Sequence, residues 1–199
     1  MTVDSNPRQR PANRPHLHSV GPSAEPIALA VPGARHCPGF LSAAGIAALV
    51  ARIDGEPWGG AGRERRQDYG YRYDMHRRTL APATTFPAWL SQLTGQLLPF
   101  TGAEADQATI TEIVSGRGLT RHLDNPERFG PTIALLNPAD TLRILFELVG
   151  AIGGRHRHEV PLKTGDLLLL TDDARYRWTM RAVPHSRGRH LLITLRTVV

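Results

Sequence analysis

The sequence predicts a mainly β domain with flanking helices, built as a sandwich or jelly roll. Three observations lead there. From Ala108 onward, short apolar stretches recur at close spacing with Gly, Pro and Asp between them. Helical periodicity is confined to two segments in the first half of the chain. The 199 residues are 41% apolar and 21% charged, which suits one domain with a proper core.

The elements follow in order. Residues 1–25 read as a tail in which Pro7, Pro11, Pro15 and Pro22 alternate with Arg8, Arg10 and Arg14. It has little to bury, and is either a disordered extension or a basic arm that touches nucleic acid. The folded domain is expected over 26–199. Ser42 can cap a helix over Ala43–Ile53, where Ile46, Leu49, Val50 and Ile53 fall at helical spacing. A second helix is expected over Pro87–Leu98, with Trp89, Leu90, Leu93 and Leu97 on one face. Between them, Gln67–Asp74 alternates tyrosines with polar residues, as a strand does. Later strands are expected at Thr109–Val114, Thr132–Leu136, Thr141–Leu148, Val160–Leu162, Leu167–Thr171, Arg175–Val183 and His190–Val198. A hairpin tip containing Gly153-Gly154 falls within Gly150–His158.

Composition narrows the function classes. Cys37 is the single cysteine, which excludes an intramolecular disulfide and a cysteine zinc site. No apolar run is long enough to span a bilayer and no secretory signal is visible, so a cytosolic protein is expected. The net charge is +6, carried almost wholly by arginine, with Lys163 the sole lysine. That balance permits a polyanionic partner without requiring one.

The most informative residues are His122 and Asp124. An imidazole and a carboxylate two residues apart on an extended strand end project to one side. They supply two of the three donors of a 2-His-1-carboxylate triad, which holds non-haem Fe(II) with open positions. The same spacing also occurs in surface pairs with no metal role.

From about Pro38 to Val198 the sequence resembles the AlkB-like branch of the Fe(II)- and 2-oxoglutarate-dependent dioxygenases. The pieces that carry the resemblance are Phe40-Leu41-Ser42 before the first helix, Trp58 after it, and Gln67-Asp68-Tyr69-Gly70-Tyr71. They continue with Gly116 to Asp124, Phe129-Gly130-Pro131-Thr132-Ile133, Gly165 to Trp178 and Thr194-Leu195-Arg196. The resemblance implies a double-stranded β-helix (jelly roll). It implies Fe(II) and 2-oxoglutarate as cofactors, with hydroxylation of a C–H bond as the reaction and formaldehyde released from an N-methyl group. Implied site residues are His122 and Asp124 on the metal and Arg196 on 2-oxoglutarate, assisted by His190 or Arg189. Tyr69 and Tyr71 would lie at the substrate pocket, where with Tyr73 they either stack on a flipped base or pack as strand residues.

The chain departs from the family pattern where the second metal histidine belongs. Counting from Trp178 puts Met180 there, and counting back from Ala182-Val183 puts Arg181 there. A thioether suits softer metals, and an arginine repels one. His185 is a third option. If Arg187-Gly188 closes a two-residue hairpin, Arg181, His185, His190 and Arg196 share a face and Met180 lies on the other. The asparagine and tyrosine that contact 2-oxoglutarate in the family are matched by Thr111 and Ile113.

The expected function is thus an AlkB-like oxygenase acting on an alkylated nucleic acid, with a methylated protein also open. The rival expectation is a catalytically silent AlkB-like scaffold that serves as a binding module, with Arg181 paired to Asp124. A different small-molecule oxygenase on the same fold is a third reading.

Overall fold

A computed structural model describes residues 25–60, 64–113, 116, 118–151 and 156–199. The expected tail lies outside the described residues apart from Glu25, and so does the Gly153-Gly154 tip. The elements run β1 (Ile27–Ala28), β2 (Ala34–Cys37), α1 (Ala43–Asp54), β3 (Glu64–Tyr69), β4 (Tyr71–Asp74), β5 (Thr79–Pro82) and α2 (Ala88–Thr101). They continue with β6 (Gln107–Ile113), β7 (Phe129–Leu136), β8 (Leu142–Leu148), β9 (Arg157–Leu162), β10 (Leu167–Leu170), α3 (Asp172–Tyr176), β11 (Trp178–Pro184) and β12 (His190–Val198).

Two antiparallel sheets face each other as a jelly roll. The larger has the order β1-β2-β10-β7-β12-β6-β3, the smaller β11-β8-β9, and β4-β5 forms a separate ribbon. Strand alternation divides the core in two. On β12, Leu191, Ile193 and Leu195 pack with Leu49, Ile53, Leu90, Leu93 and Leu97 of the two helices. On its other face Leu192 joins Ile144, Phe146, Met180 and Ala182 between the sheets. All four leucines of β10 are buried, because that strand is flanked by β2 and β7 and covered on both faces.

The first helix starts as its sequence indicates, with the Ser42 hydroxyl accepting from the Gly45 N–H at 3.2 Å. The expected strand Gln67–Asp74 is two strands in different sheets, broken at Gly70. Gly70 has φ +70°, and a Cβ there would lie 1.9 Å from the Asp106 carbonyl oxygen. The expected strand Arg175–Val183 begins instead with the short helix α3, and strand structure starts at Trp178. The expected β11–β12 hairpin does not form. β11 pairs with β8, while β12 pairs with β6 and β7 in the opposite sheet. The face assignment that rested on that hairpin therefore reverses. Trp178, Met180 and Ala182 point between the sheets, toward the face of β12 that carries Arg196.

Candidate functional site

A cavity of about 120 Å³ opens between the sheets and is lined by His122, Asp124, Met180, Thr194 and Arg196, with Tyr73 and Met75 from the β4–β5 ribbon. The segment before His122 reaches it by pairing with β11. The Leu119 N–H donates to the Ala182 carbonyl at 2.8 Å, and His122 and Met180 exchange both backbone bonds, at 3.0 and 2.8 Å. Gly118 permits this approach: at φ +69°, a Cβ would sit 2.3 Å from the Ala182 oxygen. A doubly bonded antiparallel pair places its side chains beside each other on one face. Met180 therefore stands next to His122.

His122 has a defined tautomer when neutral. Its Nδ1 lies 2.9 Å from the Thr120 carbonyl oxygen, which can only accept, so Nδ1 carries the proton and Nε2 presents a lone pair.

Asp124 is held from both sides. Its backbone carbonyl accepts from Arg175, a side chain only 1% exposed that also donates to the carbonyls of Gly130 and Phe129 at 3.0 and 2.9 Å. Its carboxylate accepts from Arg196 at 2.7 Å, with both side chains 10% exposed. Burial opposes ionisation of Asp124. The positive charges of Arg196 and of His122, with the Arg196 hydrogen bond, outweigh it, and the carboxyl titrates below the ordinary aspartate range.

Arg196 also donates to Gln107 at 3.0 Å and lies over the Phe129 ring at 4.7 Å. Among the described residues, its buried Nε has no hydrogen-bond partner.

Other expected site residues lie elsewhere. His185 is exposed beyond the end of β11, with its backbone N–H bonded to the Thr141 carbonyl, and is not brought to His122 and Asp124. Arg181 faces away from the inter-sheet space and donates to the Leu119 carbonyl; the ion pair on Asp124 is made by Arg196. His190 is buried near the Asp140 and Ser186 carbonyls, and Arg189 bridges Asp54 and Glu112. Neither lines the cavity. Tyr69 stacks edge-on with Phe86 and Trp89 in the helix-side core, where burial pushes its hydroxyl up to about 12. Tyr71 is exposed, and the tyrosine that lines the cavity is Tyr73, which accepts from Asn125 at 3.1 Å. His158 packs against the Trp178 ring. Sequence reasoning missed Arg175, whose signal was its place inside the Ala-Arg-Tyr-Arg-Trp segment.

The fold has known relatives. No family model matches the sequence. The chain is 26% identical over 183 residues to a protein described as an alkylated DNA repair protein ALKBH8 homolog of Arabidopsis thaliana, covering 80% of this chain and 53% of that protein. The chain thus spans about half the length of this curated relative. Among solved structures, OsALKBH1 superposes with a TM-score of 0.66 at 15% identity, over 83% of this chain and 97% of that one. A 2OG-Fe(II) oxygenase family oxidoreductase of Burkholderia pseudomallei gives 0.59 at 12%, over 83% and 84%. HygX of Streptomyces hygroscopicus, solved with nickel and 2-oxoglutarate, gives 0.58 at 14%, over 83% and 82%.

The jelly roll is the fold of the solved 2OG-Fe(II) oxygenases. The chain is similar in sequence to the ALKBH8 homolog and in fold to OsALKBH1, and is AlkB-like in that sense.

The class implies Fe(II) and 2-oxoglutarate, and the donor set bears on whether iron fits. Among the described residues, no group of three or more His, Cys, Asp or Glu side chains can hold a metal ion. The residue beside His122 that lines the cavity is a thioether, and the carboxylate two residues on, Asp124, is engaged by a guanidinium; of the two other lining carboxylates, Glu64 pairs with Arg66 and Asp68 accepts from Thr109. This set does not fit a centre of two histidines and a carboxylate.

Proposed function

We propose that this chain is an AlkB-like module that receives an alkylated base of a nucleic acid in the cavity and binds it without conventional iron-dependent turnover. The observation that carries the reading is Met180 paired with His122 at the cavity wall, where a metal histidine is expected. Arg196 completes the substitution by neutralising Asp124.

The cavity mouth supports the nucleic-acid part. Tyr73 and Met75 line the cavity, and the same ribbon exposes Arg72, Arg77 and Arg78. Aromatic and thioether surface beside arginines suits a base with its flanking phosphates. The relative described as an alkylated DNA repair protein homolog points the same way.

A second reading has its own observation. The His122 ring donates from Nδ1 to a backbone carbonyl, as metal-ligating histidines do, and Arg196 keeps a buried Nε free for an anion such as 2-oxoglutarate. In that reading the chain is an oxygenase whose metal rests on two protein donors.

One experiment separates the readings. Methylated and unmodified single-stranded oligonucleotides are titrated against the full chain, and the bound methylated strand is then supplied with Fe(II), 2-oxoglutarate and oxygen. Salt-sensitive binding that prefers the methylated strand, with no formaldehyde released, is expected. Formaldehyde release that depends on His122 would establish the oxygenase instead, and absence of binding would remove the nucleic acid.

A further inference from the structure

The same pairing that disfavours Fe(II) defines a different site. We propose that His122 and Met180 form a binding site for a soft monovalent cation of the copper(I) class, with Asp124 and Arg196 as its charged border. The proposal rests on the reading that the cavity is not a conventional iron centre.

Three observations support it. His122 and Met180 are a doubly hydrogen-bonded cross-strand pair, so an imidazole and a thioether stand side by side on one face of the cavity. The tautomer fixed by Thr120 leaves Nε2 with a lone pair available to a metal ion, with the backbone carbonyl as the partner of Nδ1. Asp124 is already paired with Arg196 at 2.7 Å, and Glu64, another lining carboxylate, with Arg66, so two of the three carboxylates that line the cavity are already neutralised.

Each observation favours the same ion. A thioether is a soft donor that selects copper(I), whereas Fe(II) takes imidazole and carboxylate. A single positive charge also costs less than two to place beside the Arg196 guanidinium. Met180 is 4% exposed and belongs to the apolar cluster between the sheets, with Ile144, Phe146 and Leu192, a low-water setting that suits a soft donor.

The test is an anaerobic competition between the full chain and a chromophoric copper(I) chelator, with sulfur scattering read at the copper absorption edge. The wild-type chain is expected to take up one copper(I) with a sulfur ligand. Met180→Leu keeps the side-chain volume and is expected to weaken binding by about tenfold or more and to abolish the sulfur signal. His122→Ala is expected to weaken it likewise. Met180→His is expected to exchange preference, losing the sulfur signal and gaining Fe(II) affinity, a change that requires a folded chain. Wild-type copper(I) affinity retained in both Met180→Leu and His122→Ala would overturn the site. So would a wild-type chain that binds Fe(II) and not copper(I), and that result would also favour the oxygenase reading. Oligonucleotide binding is measured separately, so loss of the nucleic-acid reading leaves this result interpretable.

Discussion

Two arginines at opposite ends of β12 perform similar chemistry with different consequences. Arg189, just before the strand, bridges Asp54 of α1 and Glu112 of β6, with its side chain 36% exposed. Arg196, near the other end, pairs with Asp124 where both partners are 10% exposed. The first ties a helix to a sheet: its Asp54 arm lies at the surface, where water screens the charges and the gain is small, and the buried Glu112 keeps Arg65 as a second partner. The second sits at the cavity wall, where removing one partner strands the other. The comparison teaches that an ion pair on this strand is a fastening at one end and a determinant of what the cavity accepts at the other.

Arg175 organises the buried end by satisfying the carbonyls of Asp124, Phe129 and Gly130. Arg175→Met should destabilise the chain by about 4 kcal/mol, read from chemical denaturation, because those acceptors lose their donor. Asp124→Ala should follow at about 3 kcal/mol, since Arg196 is left buried without its carboxylate. An equal loss in Asp124→Ala and Arg189→Ala would break the comparison. Arg189→Ala should cost about 1 kcal/mol or less and lose most of that difference in high salt.

Acid should report the buried pair. The Asp124 carboxyl titrates below its unfolded value in the folded chain. Its contribution is therefore present above the unfolded value of about 3.9 and is lost as pH falls through the lower folded one. Denaturation midpoints of wild type and Asp124→Asn should differ at neutral pH and converge in acid. A gap that widened in acid would contradict the pairing.

Much of this fold was legible in the sequence because its periodicities are local. The capped helix at Ser42, the leucine run of β10 and the strand at His190 follow from patterns within a few residues. What was not legible depends on which sheet a strand joins. While β11 and β12 were read as one hairpin, Arg181 and His185 fell on the face of Arg196 and Met180 on the other. Once β11 pairs with β8, alternation turns Met180 inward and leaves Arg181 and His185 outside. The tyrosines fail for a related reason. Gly70 breaks their strand, so Tyr69 enters the core while Tyr73 reaches the cavity on a separate ribbon. The His-x-Asp step was visible because both residues lie in one short segment, whereas the partner of its carboxylate, Arg196, arrives from 72 residues away.

In the proposed reading Met180, at the position beside His122, keeps this AlkB-like cavity from assembling an iron centre. The most direct measurement is an anaerobic titration of metal-free chain with Fe(II) and 2-oxoglutarate, followed by visible absorption and run in parallel on Met180→His. No charge-transfer band is expected in the wild-type chain, and a band is expected in Met180→His. A wild-type band that disappears in His122→Ala would contradict that reading.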